Sequence, residues 1–299
     1  MLLKDFIKEG TARLESLYPT SEARNIVLML CEDRIGTKSY THLVEPEFAI
    51  KDKNLGPLKE DLDRLASGEP IQYVIGKTEF CGLEFKVTPD VLIPRPETEI
   101  LCREAIKVGS RIQRMRQAYG DSYPVRILDL CTGSGCIAWT VALNIPGAVV
   151  VGTDISEKAI MVAMEQDFQS ALKETGALAP QFKIADVLGD PDSFGLGKFD
   201  LILSNPPYIK DSEKERMRPN VLNFEPHSAL FVPDEDPLVF HRAIARWSSA
   251  LLSNEGTGMT EINEELGNPT REVFLDAGFS DAEVIKDFYD KNRFIFYSK

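Results

Sequence analysis

The sequence lacks the features of a secreted, membrane-spanning or strongly basic protein. Its first residues carry interspersed charges instead of a continuous apolar stretch, and none of its 299 residues belong to a run apolar enough to cross a membrane. Positive charge is scarce, because 34 Lys and Arg stand against 47 Asp and Glu, for a net charge of -13 at pH 7. This balance argues against a protein that holds a phosphate backbone through a broad basic face. We expect a cytoplasmic monomer with no stable binding to nucleic acid or membrane.

Cysteine and histidine are also sparse. The five cysteines are odd in number and unclustered, which favours reduced thiols over a disulfide framework or a metal site. The three histidines, His42, His227 and His241, show no spacing typical of a catalytic triad. We therefore expect no bound metal and no histidine-based catalysis.

Apolar periodicity divides the chain into three parts. Residues 1–74 place apolar side chains at helical spacing, which predicts a small all-α bundle of four or five helices, one of them starting at residues 45–47. Within 75–98 the period changes to two, which predicts a β-hairpin linker that includes the apolar residues 91–93. Residues 99–299 alternate strands with helices, including one helix over 156–174, and predict an α/β fold with a seven-stranded sheet.

A buried strand that begins at Phe199 is followed by Asn205-Pro206-Pro207-Tyr208. Two consecutive prolines stiffen the chain where the strand ends, and the carboxyl ends of such strands are where ligands bind. The Asn205 side-chain oxygen and the Pro206 carbonyl can each accept a hydrogen from one planar NH2 group, while Tyr208 packs on its face. In isolation, the same tetrapeptide is equally compatible with a simple turn.

A second candidate site lies in the loop that follows the predicted strand 125–130. Its Gly133 and Gly135 let the backbone approach a ligand, and the next strand ends at Asp154, whose carboxylate can accept both hydroxyls of a ribose. Neither a Gly-x-Gly-x-x-Gly spacing nor a phosphate-binding Gly-Lys-Ser/Thr motif is present, which favours a nucleoside without phosphates, such as S-adenosylmethionine. Asp186 and Val187 can contact an adenine, or Asp186 can simply cap the next turn.

Two neighbouring segments complete the predicted site. Arg95 lies between two prolines, which limits its freedom and can direct its guanidinium into a neighbouring pocket; the alternative is a stiff linker. The charged residues 210–220 predict an exposed loop that is a candidate lid or partner contact, although most charged runs are only solvated.

Three blocks together carry a family resemblance: IPRPETE at 93–99, DLCTGSGCIA at 129–138 and SNPPYI at 204–209. The sequence resembles, over its whole length, the HemK/PrmC family of peptide chain release factor glutamine N5-methyltransferases. The resemblance implies a helical N-terminal substrate-recognition domain (1–74), a hairpin linker (75–98) and a class I, Rossmann-like S-adenosylmethionine-dependent methyltransferase domain (99–299). It implies methylation of the glutamine in the Gly-Gly-Gln loop of class I release factors, with S-adenosylhomocysteine as the product.

Carried over by motif, two groups of residues have expected roles. The resemblance implies that the cofactor is bound by Cys131, Thr132, Gly133, Ser134, Gly135, Asp154, Asp186, Val187 and Asn205. It implies that the substrate glutamine is held by Asn205, Pro206, Pro207 and Tyr208, beside Arg95, and that Asn205, Pro206 and Tyr208 are catalytic. The alternative activity is N-methylation of an exocyclic amino group of adenine or guanine in DNA or RNA, which presents the same NH2 group.

One position departs from the commonest family pattern. The first loop residue is usually glycine, and here it is Cys131. Because a side chain disfavours the left-handed region, we expect this residue to have a negative φ.

Overall fold

The structure described here is a computed structural model that covers residues 1–299. Contacts divide the chain into two units: the first comprises Met1–Lys77 and Met217–Glu225, and the second comprises Thr78–Arg216 and Pro226–Lys299. None of the helices combines the length and the apolar character that crossing a membrane requires.

The first unit is helical. Its helices are α1 (Leu3–Leu14), α2 (Thr20–Ile35), α3 (Thr41–Val44), α4 (Asp52–Ala66), α5 (Ile71–Ile75) and, from the later segment, α10 (Pro219–Phe224). The apolar side chains that recur at helical spacing, among them Phe6, Val27 and Leu62, form its core. The predicted helix start at 45–47 is wrong, because α3 ends at Val44 and α4 begins only at Asp52.

A short hairpin opens the second unit. Its strands are β1 (Lys77–Phe80) and β2 (Leu83–Lys86), and the buried rings of Phe80 and Phe85 join the core of this unit. The hairpin is confirmed, but residues 91–93 form no strand: they run through an irregular segment that buries Val91 and Ile93.

Helices and strands then alternate along the second unit. The helices are α6 (Thr98–Ala118), α7 (Cys136–Asn144), α8 (Glu157–Met164), α9 (Gln169–Thr175), α11 (Val239–Leu251) and α12 (Gly267–Asp276). The strands are β3 (Arg126–Leu130), β4 (Val149–Asp154), β5 (Gln181–Ile184), β6 (Phe199–Ser204), β7 (Ile209–Lys210), β8 (Phe231–Val232), β9 (Leu252–Glu261), β10 (Asp281–Lys286) and β11 (Asn292–Ser298).

Seven of these strands form one sheet in the order β10-β11-β9-β6-β3-β4-β5. The five strands from β9 to β5 are parallel, and β11 is antiparallel to both of its neighbours. The α/β class and the seven strands predicted from the sequence are confirmed. From β3 the chain runs outward to β4 and β5, then returns to β6 on the other side of β3 and continues outward to β9. The gap between β3 and β6 is therefore the topological switch point where such sheets bind ligands.

The single helix predicted over 156–174 is two helices, α8 and α9. Residues in the break between α8 and α9 contact other segments of the chain. The buried Gln166 side chain accepts from the Lys86 amide at 2.8 Å and donates to the Ser134 carbonyl at 3.1 Å. Phe168 packs its ring between Phe85 and Trp139. The break therefore fastens the hairpin and the loop after β3 to one another.

The charged residues 210–220, predicted to be an exposed loop, contain regular structure. Strand β7 pairs with β8, residues Asp211–Arg216 form a 3-10 turn, and α10 begins at Pro219. The segment lies at the surface as predicted, since none of its residues is buried. The prediction of a loop is wrong because the anchors come from distant sequence: Asn263 donates to Glu213 at 2.8 Å, and Arg218 forms an ion pair with Glu22 at 2.7 Å.

Candidate active site

A cavity of about 480 Å³ lies at the carboxyl ends of the parallel strands. Ten of the residues predicted to bind cofactor or substrate line it: Arg95, Cys131, Thr132, Gly133, Ser134, Asp154, Asp186, Val187, Asn205 and Pro207. Three predicted residues do not line it: Gly135, Pro206 and Tyr208. The cavity therefore collects the ends of β3, β4, β5 and β6, and its size is in the range of small-molecule sites.

The loop after β3 turns through left-handed backbone. Gly133 and Gly135 have φ of 54° and 79°. Gly135 directly precedes α7, and an added Cβ there would lie within 3.1 Å of Trp139. Cys131 also has a positive φ, of 61°, so the expectation of a negative φ at this position is wrong. The loop keeps the turn that a glycine would make there, because its ends are fixed by the sheet and by α7, and the cysteine bears the strain.

A buried carboxyl beneath the loop holds this turn in place. Asp129, fully buried on β3, accepts from the Thr132 hydroxyl and from the Ala138 amide at 3.1 Å. Burial raises the pKa of Asp129 to about 7, and these two hydrogen bonds oppose that rise. Asp129 thus links the loop after β3 to the first turn of α7.

Asp154 ends β4 at the edge of the cavity. One carboxylate oxygen accepts from the Gly133 amide and the other accepts from the Ser156 amide, both at 2.9 Å. Burial raises the pKa of Asp154, and these backbone amides oppose the rise. Each oxygen retains a lone pair, so the carboxylate is held in place and can still accept from a diol.

Asp186 and Val187 follow β5, and both line the cavity. One oxygen of Asp186 accepts from the Leu188 amide at 2.8 Å, so this residue does cap the turn that follows. The cap accounts for only one of its two oxygens. Val187, which is buried, adds an apolar wall beside it.

Strand β6, buried along its whole length, delivers Asn205 to the cavity. The Ser204 hydroxyl donates to the Leu130 carbonyl at 2.8 Å and fastens the end of β6 to the end of β3. The Asn205 Nδ2 donates to the Thr98 hydroxyl at 3.1 Å. Asn205 is thereby held one strand away from the loop of Gly133.

The sequence predicted that the Tyr208 ring packs on the face of the substrate's NH2 group, but in the structure Tyr208 has a different environment. Its hydroxyl donates to Glu261 Oε1 at 2.8 Å, and its ring is not part of the cavity wall. Burial and the Glu261 carboxylate raise the pKa of Tyr208 well above its usual range. Its catalytic role remains a prediction, whereas its structural bond to β9 is evident.

Glu261 is the functional candidate that the sequence interpretation missed. It is 1% exposed at the end of β9, accepts from Thr98 at 2.7 Å and from Tyr208, and its backbone carbonyl accepts from His241 Nε2 at 3.0 Å. Burial raises the Glu261 pKa, while the two hydroxyls and the nearby Arg293 oppose the rise. The sequence does contain a signal for Glu261, because this charged residue directly follows the uncharged strand residues 256–260.

Thr98 is the first residue of α6, and neither its side chain nor that of Glu97 caps the helix. The Thr98 hydroxyl joins Asn205 to Glu261 instead. Elsewhere in the chain, no group of three or more His, Cys, Asp or Glu side chains is arranged to hold a metal ion.

Comparison with known proteins places this geometry in a family. A model of the PrmC N-terminal domain matches residues 5–76, and a model of the methyltransferase small domain matches residues 97–222. The release factor glutamine methyltransferase of Bacteroides thetaiotaomicron is 36% identical, covering 94% of this chain and 95% of the relative. That of Flavobacterium psychrophilum is 35% identical, covering 99% and 98%. The chain belongs to the release factor glutamine methyltransferase family.

Membership of this HemK/PrmC family makes the protein an S-adenosylmethionine-dependent methyltransferase. Among solved structures, the hMettl16 catalytic domain in complex with MAT2A 3′UTR hairpin 6 is similar with a TM-score of 0.51 at 15% identity, covering 83% of this chain and 82% of that one. At this identity the likeness shows the shared class I methyltransferase fold.

The strained cysteine gives the first testable prediction. We expect the Cys131→Gly variant to be more stable to unfolding than Cys131→Ala by about 1 kcal/mol, because only glycine adopts a φ near 60° without a Cβ penalty. Chemical denaturation of the two variants measures this difference. With a negative φ at this position the order would reverse, since alanine loses less backbone entropy on folding than glycine does.

A second prediction concerns Asp154. Asp154→Asn should weaken S-adenosylmethionine binding by about 10- to 100-fold, because the carboxamide has one acceptor oxygen and turns an NH2 toward a backbone N–H of Gly133 or Ser156. Isothermal titration calorimetry measures the affinity, and Asp281→Asn, at an exposed position on the distant edge strand, is the matched control. Equal affinity in both variants would show that Asp154 does not bind the ribose.

Proposed function

We propose that this enzyme methylates the side-chain amide nitrogen of the glutamine in the Gly-Gly-Gln loop of class I peptide chain release factors. The observation that carries the proposal is the placement of Asn205: it lines the cavity at the end of β6, beside the cofactor loop of β3, with its Nδ2 already engaged by Thr98. Its Oδ1 is thus the atom that remains for a ligand NH2 group. Relatives that share more than 90% of the chain's length are named release factor glutamine methyltransferases.

The cavity fits S-adenosylmethionine on the chemistry of its walls. Asp154 offers two fixed carboxylate oxygens for a ribose, and Val187 and the largely exposed Ile155 offer apolar contact for an adenine ring. Asp186 offers its remaining oxygen to the adenine amino group. When bound, the cofactor supplies a methyl group on a positively charged sulfur.

The protein's task is to orient a poor nucleophile. An amide nitrogen has its lone pair delocalised into the carbonyl, so the Asn205 Oδ1 acceptor, which lines the cavity, would hold its NH2 in line with the methyl group. As the nitrogen–carbon bond forms and the carbon–sulfur bond breaks, this acceptor stabilises the positive charge that develops on nitrogen. The nitrogen then loses a proton to water, and S-adenosylhomocysteine remains. No histidine is needed.

The helical first unit is the proposed binding surface for the release factor. A single glutamine is too small to distinguish one protein loop from another, so selectivity needs contacts beyond the amide pocket. The short helix α3 exposes two apolar side chains, Leu43 at 68% and Val44 at 65%, beside the exposed Tyr40. Such side chains supply apolar area to a protein partner and none of the positive charge that a nucleic acid requires.

Mass spectrometry tests the proposal directly. Purified release factor, a Gly-Gly-Gln peptide and an adenine-containing single-stranded DNA are incubated separately with enzyme and isotopically labelled methyl donor. We expect label on the glutamine alone, with a higher kcat/KM for intact release factor than for peptide.

The matched variant in this assay is Asn205→Ala. Losing one partner of the developing charge typically lowers kcat about 100- to 1000-fold, and cofactor affinity should change little because Asp154 and the β3 loop lie on other strands. Label on DNA but not on glutamine would select the alternative activity. An Asn205→Ala enzyme with wild-type kcat on the peptide would contradict the role assigned to this side chain.

A further inference from the structure

A chain of hydrogen bonds runs from Asn205 into the protein. Asn205 Nδ2 donates to Thr98 Oγ1 at 3.1 Å, and Thr98 Oγ1 donates to Glu261 Oε2 at 2.7 Å. The other Glu261 oxygen accepts from Tyr208 at 2.8 Å. The members come from the end of β6, the first residue of α6 and the last residue of β9, so three elements converge on one side chain.

The number of protons on each group determines which atom donates and which accepts in this series of hydrogen bonds. An ionised carboxylate only accepts, and a threonine hydroxyl has a single proton, which Thr98 gives to Glu261. Thr98 Oγ1 can therefore only accept from Asn205, and only the NH2 end of the Asn205 amide can donate. The carboxamide orientation of Asn205 is thus dictated by Glu261, although the two side chains share no direct hydrogen bond.

Burial and charge maintain that direction. Thr98 is 2% exposed and Glu261 is 1% exposed, so water cannot replace a lost partner without reorganisation. Burial raises the pKa of Glu261, and the hydroxyl donors on both of its oxygens and the neighbouring Arg293 guanidinium oppose that rise. Both oxygens of Glu261 accept a hydroxyl hydrogen bond in the structure. Reversing the Asn205 amide would set its oxygen against the lone pairs of Thr98.

We propose that Glu261 and Thr98 are positioning residues that hold the Asn205 amide with its oxygen toward the substrate, and so make the site select a glutamine amide over a glutamate carboxylate. This inference rests on the proposed function. An outward oxygen attracts the NH2 of glutamine and repels a carboxylate, whereas a reversed amide would donate to the carboxylate instead. Neither positioning residue needs to touch the substrate.

The test compares variants that change the donor pattern while keeping the shape of the side chain. Thr98→Val removes the hydroxyl, Thr98→Ser restores it, and Thr270→Val removes a fully buried hydroxyl that has no hydrogen-bond partner, in α12. For each full-length enzyme, kcat and KM are measured on a Gly-Gly-Gln peptide. Calorimetry gives the affinities for Gly-Gly-Gln and Gly-Gly-Glu peptides, both in the presence of S-adenosylhomocysteine, and for S-adenosylmethionine.

We expect Thr98→Val to lower kcat about 10- to 100-fold and to reduce the ratio of glutamine to glutamate peptide affinity by about 10-fold, the range for one unpaired buried polar contact. Thr98→Ser should regain both values, and Thr270→Val should match wild type throughout. Affinity for S-adenosylmethionine should stay within about threefold of wild type in every variant, because Thr98 and Glu261 hydrogen-bond Asn205 and Tyr208, whereas the expected ribose and adenine contacts lie at the ends of β4 and β5.

Glu261→Gln provides an independent second variant. With its NH2 group against Thr98, the glutamine would donate to Oγ1 and turn the Thr98 hydroxyl into a donor toward Asn205, which favours the reversed amide. The ratio of glutamine to glutamate peptide affinity should therefore fall, as it does for Thr98→Val, even though the volume of the side chain is unchanged.

The outcomes separate this inference from the function on which it rests. A wild-type enzyme that methylates no Gly-Gly-Gln substrate would overturn the proposed function and the positioning role together. An active wild type whose glutamine preference is fully retained in Thr98→Val and Glu261→Gln would overturn the positioning role alone. The same holds if those variants merely lose thermal stability and S-adenosylmethionine affinity in parallel, which is the signature of a structural contact between α6 and β9.

Discussion

The parallel pairing of β3 with β6 is the constraint on which the site depends. Leu130 lies opposite Ser204 at the ends of the two strands, and the Ser204 hydroxyl donates to the Leu130 carbonyl at 2.8 Å. This pairing sets the loop that starts at Cys131 and the amide of Asn205 on adjacent strand ends. Because the sheet reverses its connection order here, both ends open into the same cavity.

Around that pair of strand ends, buried polar side chains determine geometry more than they take part in chemistry. Asp129 fixes the turn of the loop after β3, Gln166 joins that loop to the β1–β2 hairpin, and Glu261 reaches Asn205 through Thr98. Each is buried with its hydrogen bonds to other elements, so a change in any one of them is transmitted to a residue that lines the cavity. Under the proposed function, such support would orient an amide nitrogen that is too weakly nucleophilic to react without it.

The local sequence pattern was sufficient to predict most helices and strands and most residues of the cavity wall. It was insufficient to predict contacts between residues far apart in the chain. The apolar strand before Asn205, the glycine loop and Asp154 each carry their signal within a few residues, and the predicted seven-stranded sheet is confirmed. The break between α8 and α9, the order within residues 210–220 and the link from Thr98 to Glu261 depend on partners 50 or more residues away. Cys131 was mispredicted because its local preference for negative φ yields to the fixed ends of the loop.

The central claim is that the Asn205 carboxamide presents its oxygen to the amide of a glutamine. A crystal structure of the enzyme with S-adenosylhomocysteine and a Gly-Gly-Gln peptide tests it most directly. The account predicts that the glutamine side-chain nitrogen lies within about 3 Å of Asn205 Oδ1, while Nδ2 stays on Thr98. A glutamine bound with its carbonyl toward Asn205, or held elsewhere in the cavity, would contradict the account.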